Sequence, residues 1–187
     1  MQQSRILLDS NAYFRLAQSI RPLLNSPFGK DNYCLYILKE LQTEYEKSSR
    51  LQLKFPWVNL KEYVENRSNN LEIKRGEKAE IQRAYEFILN FVRHVHPGVS
   101  KVDVRCLAHA EQLGIPVVTD DEEMREAAAY YGIKTMKTVD LLKIMLDNEH
   151  LDITDVRAIA SYLIYQNDTP KGFRKDFKRI FGEVAPR

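Results

Sequence analysis

Cysteine is almost missing from this chain, whose 187 residues carry only Cys34 and Cys106, neither in a paired metal-ligand spacing. A disulfide framework and a structural zinc site are therefore not expected, and both thiols should pack as small apolar side chains. Long apolar runs are missing too. No segment approaches the length that spans a bilayer, and the opening MQQSR lacks the apolar stretch of a secretory signal, so a cytoplasmic protein with no membrane partner is expected. Nor does charge of one sign dominate: 28 Lys and Arg stand against 26 Asp and Glu, so any contact with nucleic acid must come from local clusters. There is no internal repeat and no low-complexity segment, and the composition fits one ordinary globular domain.

What is present centres on residues 100–136, SKVDVRCLAHAEQLGIPVVTDDEEMREAAAYYGIKTM, which read as helix, strand, helix, strand. Ser100 is the expected N-cap of the first helix, and Asp103, three residues on, completes a capping-box spacing at the positive end of the helix dipole. Gly114 stops that helix. Residues 115–119 form a short apolar, β-branched run suited to a buried parallel strand, which puts Asp120 and Asp121 at its carboxyl end. Ligands bind at that edge of open parallel sheets. Residues 5–9, RILLD, form a second such run ending in Asp9. Carboxylates brought together from separate segments repel one another, and burial raises the cost of their charge, so a proton or a cation must compensate. Oxygen-only ligands without His or Cys point to Mg²⁺ or Mn²⁺ rather than zinc.

LLDSNAY near the start, ILKELQTEY after the second apolar run, VSKVDVRCLAHA, and the T-x-D of VVTDDEEM followed by GIKTM together resemble the PIN-domain ribonucleases, a family that includes toxin subunits of bacterial toxin–antitoxin pairs. The resemblance is strongest over residues 5–12 and 97–137. It implies an α/β fold, a three-layer PIN-like domain built on a parallel sheet, and a metal-dependent endoribonuclease that leaves 5′-phosphate and 3′-hydroxyl ends on RNA. Carried over residue by residue, the catalytic and metal-holding acids are Asp9, Asp103 and Asp121, with Asn11 and Thr119 as neighbouring polar positions. The second acid falls on Glu40 or Glu44, one helical turn apart. Glu40 is favoured because it sits in the Glu-Leu pair common at the start of the family's second helix, leaving Glu44 a supporting role. Asp120 is the variable middle residue of T-x-D and is expected to help begin the following helix. By analogy the chain would have an antitoxin or other protein partner and form a homo-oligomer.

Along the chain, a helix is expected from Ala12 to about Arg21, ended by Pro22, then a strand over residues 33–38 that runs into the helix carrying Glu40 and Glu44. Residues 48–76 depart from a compact PIN domain and read as an insertion, with Lys54, Lys61, Arg67, Lys74 and Arg75 as phosphate-holding candidates; residues 65–70 are uniformly polar. Trp57 reads either as a packing anchor or as a platform for an unpaired base, the first being the more ordinary. Residues 80–96 form an amphipathic helix with Ile81, Ala84, Tyr85, Ile88, Phe91, Val92 and Val95 on one face. His94 and His96 point in different directions from it, and neither they nor His109 are expected to ligate metal. The resemblance thus implies that residues 1–137 are a PIN-like domain, with residues 138–187 expected as a helical extension packed on it. Helices are expected over 139–146, capped by Thr138, and from Asp152 or Thr154 through Tyr165. The final basic stretch offers Arg174, Lys175, Lys178 and Arg179 for RNA phosphates, while Phe173, Phe177 and Phe181 are spaced to dock on the core.

Two other classes compete. A PIN-fold scaffold that binds RNA or protein without cutting would keep the fold and lose the acids' chemistry. A phosphoacceptor signalling domain would want a pair of acids ending the first strand, whereas one acid follows Leu8 here.

Overall fold

The computed structural model describes residues 3–68 and 71–186; Met1, Gln2, Asn69, Asn70 and Arg187, among them the last two positions of the polar 65–70 stretch, lie outside it. Four parallel strands form one sheet in the order β2–β1–β3–β4, with β1 at Ser4–Leu8, β2 at Tyr33–Tyr36, β3 at Val117–Val118 and β4 at Thr135–Met136. The last two strands are shorter than the apolar runs that announce them. Backbone pairing nevertheless continues past their ends, since Leu7 N donates to Pro116 O at 3.0 Å and Thr119 N to Met136 O at 2.9 Å.

Side chains alternate across a strand, so β1 feeds two apolar clusters at once. Ile6 and Leu8 join Leu35 and Val118 on one face, covered by α1 (Ser10–Leu16), α8 (Thr138–Asp147), α9 (Ile153–Tyr165) and α10 (Phe173–Phe181). Leu7 and Val117 join the other face, covered by α5 (Arg75–Val95), α6 (Lys101–Leu113) and α7 (Glu122–Tyr130). The result is an α/β molecule with a parallel sheet and helices on both sides. Residues 138–187 do not merely lean on it: Leu141, Leu142, Met145, Val156, Leu163 and Phe177 are buried in the same cluster as Ile6 and Leu8. Each such side chain taken fully from water contributes ~2 kcal/mol before entropy is counted.

Local chemistry explains where the key helices begin and end. Ser100 Oγ accepts from Asp103 N at 3.1 Å while Asp103 Oδ2 accepts from Ser100 N at 2.9 Å, a reciprocal capping box that fixes the start of α6. Gly114, at φ 61°, takes the left-handed turn that ends it. The predicted amphipathic helix is α5, with Ile81, Ile88 and Val92 buried, although Val95 at its end is exposed. The first helix is shorter than the expected 12–21: α1 stops at Leu16, and the chain turns on to Pro22 with Ala17 and Ile20 still buried.

The stretch read as an insertion folds as α2 (Glu40–Lys47) runs into α3 (Ser49–Lys54), a 3₁₀ turn at Pro56–Asn59 and α4 (Lys61–Ser68). Trp57 is not a platform for a base. It is buried, with ring centroids of Tyr63, Tyr13 and Phe55 at 4.6, 6.0 and 6.1 Å, because its indole closes the aromatic end of the first cluster. Two of the cations expected to meet phosphate also turn to the protein. Lys54 Nζ lies 2.8 Å from Asp168, and Arg67 donates to Tyr13 Oη, Gln42 Oε1 and Val58 O.

Thr138 does not cap α8. Lys137 is the N-cap, and Thr138 is buried as the first helical residue. Asp152, rather than Thr154, caps α9. On α10, Phe173 and Phe177 are buried while Arg174, Lys175, Lys178 and Arg179 face outward. Arg179 pairs with Asp176 at 3.3 Å and Arg174 donates to Pro186 O. Among the described residues no helix is long and apolar enough to cross a membrane.

Candidate active site

The carboxyl ends of β1 and β3 are adjacent, since Leu8 pairs with Val118, and the next residue on each strand brings a polar group to the same edge. Asp9 follows β1 and caps α1: its Oδ1 accepts from Ala12 N at 2.6 Å. Its side chain is buried, and Oδ2 has no hydrogen-bond partner among the described residues. Burial drives its pKa up to about 7, tempered by the nearby Thr119 hydroxyl and the Ala12 N–H, and raised further by the charges of Asp103 and Asp120. Thr119 is fully buried, and its Oγ1 accepts from Asp121 N at 3.2 Å.

Asp103 enters from α6, pinned by its capping box. Burial raises its pKa, the Ser100 contacts relieve it in part, and Glu44 and Asp121 raise it again. Asp121 is exposed and caps α7, with Oδ1 accepting from Met124 N at 2.7 Å. Capping thus engages one oxygen of each of these three acids. A small cavity lined by Asp9, Ser10, Asp103, Cys106 and the apolar Leu8, Ile37, Leu38, Leu41 and Val102 separates β1 from α2 and α6.

Of the two α2 acids, Glu44 makes a hydrogen bond at this centre. Ser10 Oγ donates to Glu44 Oε2 at 2.6 Å, directly beside Asp9, and the Glu44 charge acts on Asp103. The charge of Glu40, one turn earlier, acts on Cys106 and His109. Both glutamates are thus within electrostatic reach of residues that line the cavity, Glu44 through Asp103 and the favoured Glu40 through Cys106.

Asp120 has a different fate. Arg15 Nη1 sits 3.0 Å from Asp120 Oδ2, Thr138 N donates to Asp120 Oδ1 at 3.1 Å, and the Thr138 hydroxyl donates to Oδ2. It helps begin α8, not the helix that follows it in sequence. Asn11 is exposed on α1. The histidines stay apart: His109 is buried with Nδ1 2.7 Å from Arg105 O and its pKa lowered by burial, His94 meets Asn90 O, and His96 lies 3.6 Å from Glu126.

The unpartnered, buried Oδ2 of Asp9 and the oxygen donors near it fit a hard divalent cation. The Cys106 thiol beside them is held protonated, its pKa pushed well up by burial and by the Asp9, Asp103 and Glu40 charges. Among the described residues no three His, Cys, Asp or Glu side chains are grouped so as to hold a metal ion, and the acids act on one another through their charges.

Three participants were not found from sequence. Ser10 and Arg15 act across the fold, on Glu44 and Asp120. Cys106 follows Asp103 at the three-residue spacing that shares a helix face, a signal that was there to be used. In comparisons with known proteins, no family model matches the chain and no curated protein is found similar to it.

Proposed function

We propose that this chain is a Mg²⁺- or Mn²⁺-dependent endoribonuclease of the PIN type. The observation that carries the proposal is Asp9: a buried carboxyl at the carboxyl end of a central parallel strand, with one oxygen spent on a helix cap, the other unpartnered among the described residues, and a small cavity that it lines together with Asp103. A structural aspartate in such a place is normally given a cation or donors for both oxygens; this one has the Ala12 N–H on Oδ1, the Thr119 hydroxyl nearby and no cation beside it among the described residues.

In this reading Asp9, Asp103 and Asp121 hold the ion, with Glu44 added through Ser10 and Glu40 in reserve along α2. When bound, the ion supplies acidity to the attacking water and positive charge against the phosphate. The protein's own groups do the positioning. The α1 and α6 caps fix one oxygen each of Asp9 and Asp103, and Thr119 sets the approach to Asp121 through its N–H. Arg174, Lys175, Lys178 and Arg179, exposed on α10, offer contacts to the RNA backbone.

A second reading is kept by one observation: Asp103 and Asp121 are each accounted for as helix caps, which a scaffold that binds RNA or protein would also need. Cleavage of a labelled structured RNA, and of a single-stranded DNA, by the purified chain with Mg²⁺, with Mn²⁺ and with EDTA separates the two. Metal-dependent cutting of RNA, abolished in folded Asp9→Asn and Asp121→Asn, is expected. Unchanged RNA binding without cutting under any metal would transfer the assignment to the scaffold.

A further inference from the structure

The start of α2 and the residues just before it, which close the acid cavity, have a second side. Ile37, Leu38 and Leu41 line that cavity and also line a notch of about 220 Å³ between α2 and α4, completed by Lys39, Gln42, Val64, Arg67 and Ser68. Its apolar lining comes from Ile37, Leu38, Leu41 and Val64. Its polar edge is rigid, because Gln42 Oε1 accepts from Arg67 Nη2 at 3.0 Å and Gln42 Nε2 donates to Glu46 at 2.8 Å, while Arg67 is anchored to Tyr13 Oη and Val58 O.

We propose that this notch receives one unstacked nucleobase of an RNA strand, placing the adjoining phosphate over the acid cavity. The proposal takes its strand from the nuclease reading. Four features argue for a base. The volume is below the ~300–1,000 Å³ of sites that hold larger ligands, and suits a single planar ring system. Apolar walls with one fixed amide edge match a base, which has apolar faces and a polar rim. Lys39 stands exposed at the rim, and no ion pair among the described residues engages it, so its charge is available to a phosphate. Val64, which lines the notch from α4, is an exposed apolar side chain able to meet a base face.

The clefts along α1 make the contrast. Arg15, Arg21 and Lys54 line them, but Arg15 is bound to Asp120, Arg21 lies 3.8 Å from Glu62, and Lys54 is bound to Asp168. Cations already matched to carboxylates give a strand little to hold.

The test is photocross-linking of short RNAs carrying single 4-thiouridines to the full chain in EDTA, with peptide mapping, beside affinities for Val64→Trp and Lys39→Ala. Cross-links are expected on peptides of α2 and α4. Val64→Trp, which fills the notch from an exposed position, should weaken binding about tenfold, with an unchanged thermal melt. An abasic nucleotide at the cross-linked position should weaken the native chain equally and the Val64→Trp chain no further. Lys39→Ala should weaken binding of normal and abasic RNA alike. Cross-links elsewhere, native affinity in Val64→Trp, or no RNA binding would overturn the base site. If RNA is cut while Val64→Trp binds normally, the nuclease stands and the base site falls; if the cross-links and the Val64→Trp defect appear without cutting, the base site stands and the nuclease falls.

Discussion

Asp9 and Asp120 stand at the carboxyl ends of neighbouring strands, close enough to feel each other's charge, and the protein treats them in opposite ways. Asp120 is given Arg15 and two donors from Thr138. Asp9 is given one backbone N–H, a buried setting and nothing for its second oxygen. A carboxylate that serves the fold is matched by the fold. One left unmatched, at the sheet edge where open parallel sheets bind ligands, supports the cation-holding role proposed for Asp9.

The contrast is sharpest under substitution. Asp9→Asn should lower RNA cleavage by about two to three orders of magnitude, the loss typical of removing one centrally placed electrostatic group, as read from initial rates in Mn²⁺. The same variant should not lose stability in EDTA at pH 8. If it melts well below the native chain there, Asp9 is structural and the comparison breaks.

Stability against pH comes next. The folded pKa of Asp9 lies near 7, above its ordinary 3.8, so the native state binds this proton more tightly than the unfolded chain. That contribution is complete below about pH 4 and is lost as pH rises through 7, at roughly 1 kcal/mol per unit within the window. Asp103 shifts in the same direction. Urea unfolding in EDTA at pH 5 and pH 8 should show the native chain losing stability relative to Asp9→Asn, and Mg²⁺ should restore part of the loss at pH 8.

Asp120→Asn should act oppositely, costing about 2 kcal/mol at neutral pH because Arg15, nearly buried, loses its counter-charge. A variant of native stability would show that solvent already screens the pair. The smallest effect distinguishes the two α2 acids. Glu44→Gln should lower cleavage about tenfold and weaken Mn²⁺ binding by calorimetry, with Glu40→Gln changing either by less than about threefold. The reverse ranking would return the second acid to Glu40.

The fold was readable wherever one segment carries its own signal. Ser100, Asp103 and Gly114 mark α6 without reference to anything else, and the 3.6-residue spacing of Ile81, Ile88 and Val92 does the same for α5. The aspartate positions at strand ends were readable for that reason. Their partners were not. Arg15 reaches Asp120 across 105 positions and Ser10 reaches Glu44 across 34, and nothing in periodicity or capping encodes such distances. Glu40 and Glu44 share a helix face, so spacing could not rank them. For Trp57 the packing anchor was the more ordinary of two readings, and its burial comes from Tyr13, Phe14 and Phe55, which only the folded chain collects.

The double allegiance of β1 bears on the order of folding. The cluster that seats Ile6 and Leu8 is closed by Phe173, Phe177 and Ala185, far along the sequence from β1. A strand lying between two cores cannot settle until both exist. The carboxyl of Asp9, carried at the end of that strand, would therefore take its place beside Asp103 only late in folding, once segments distant in sequence have met.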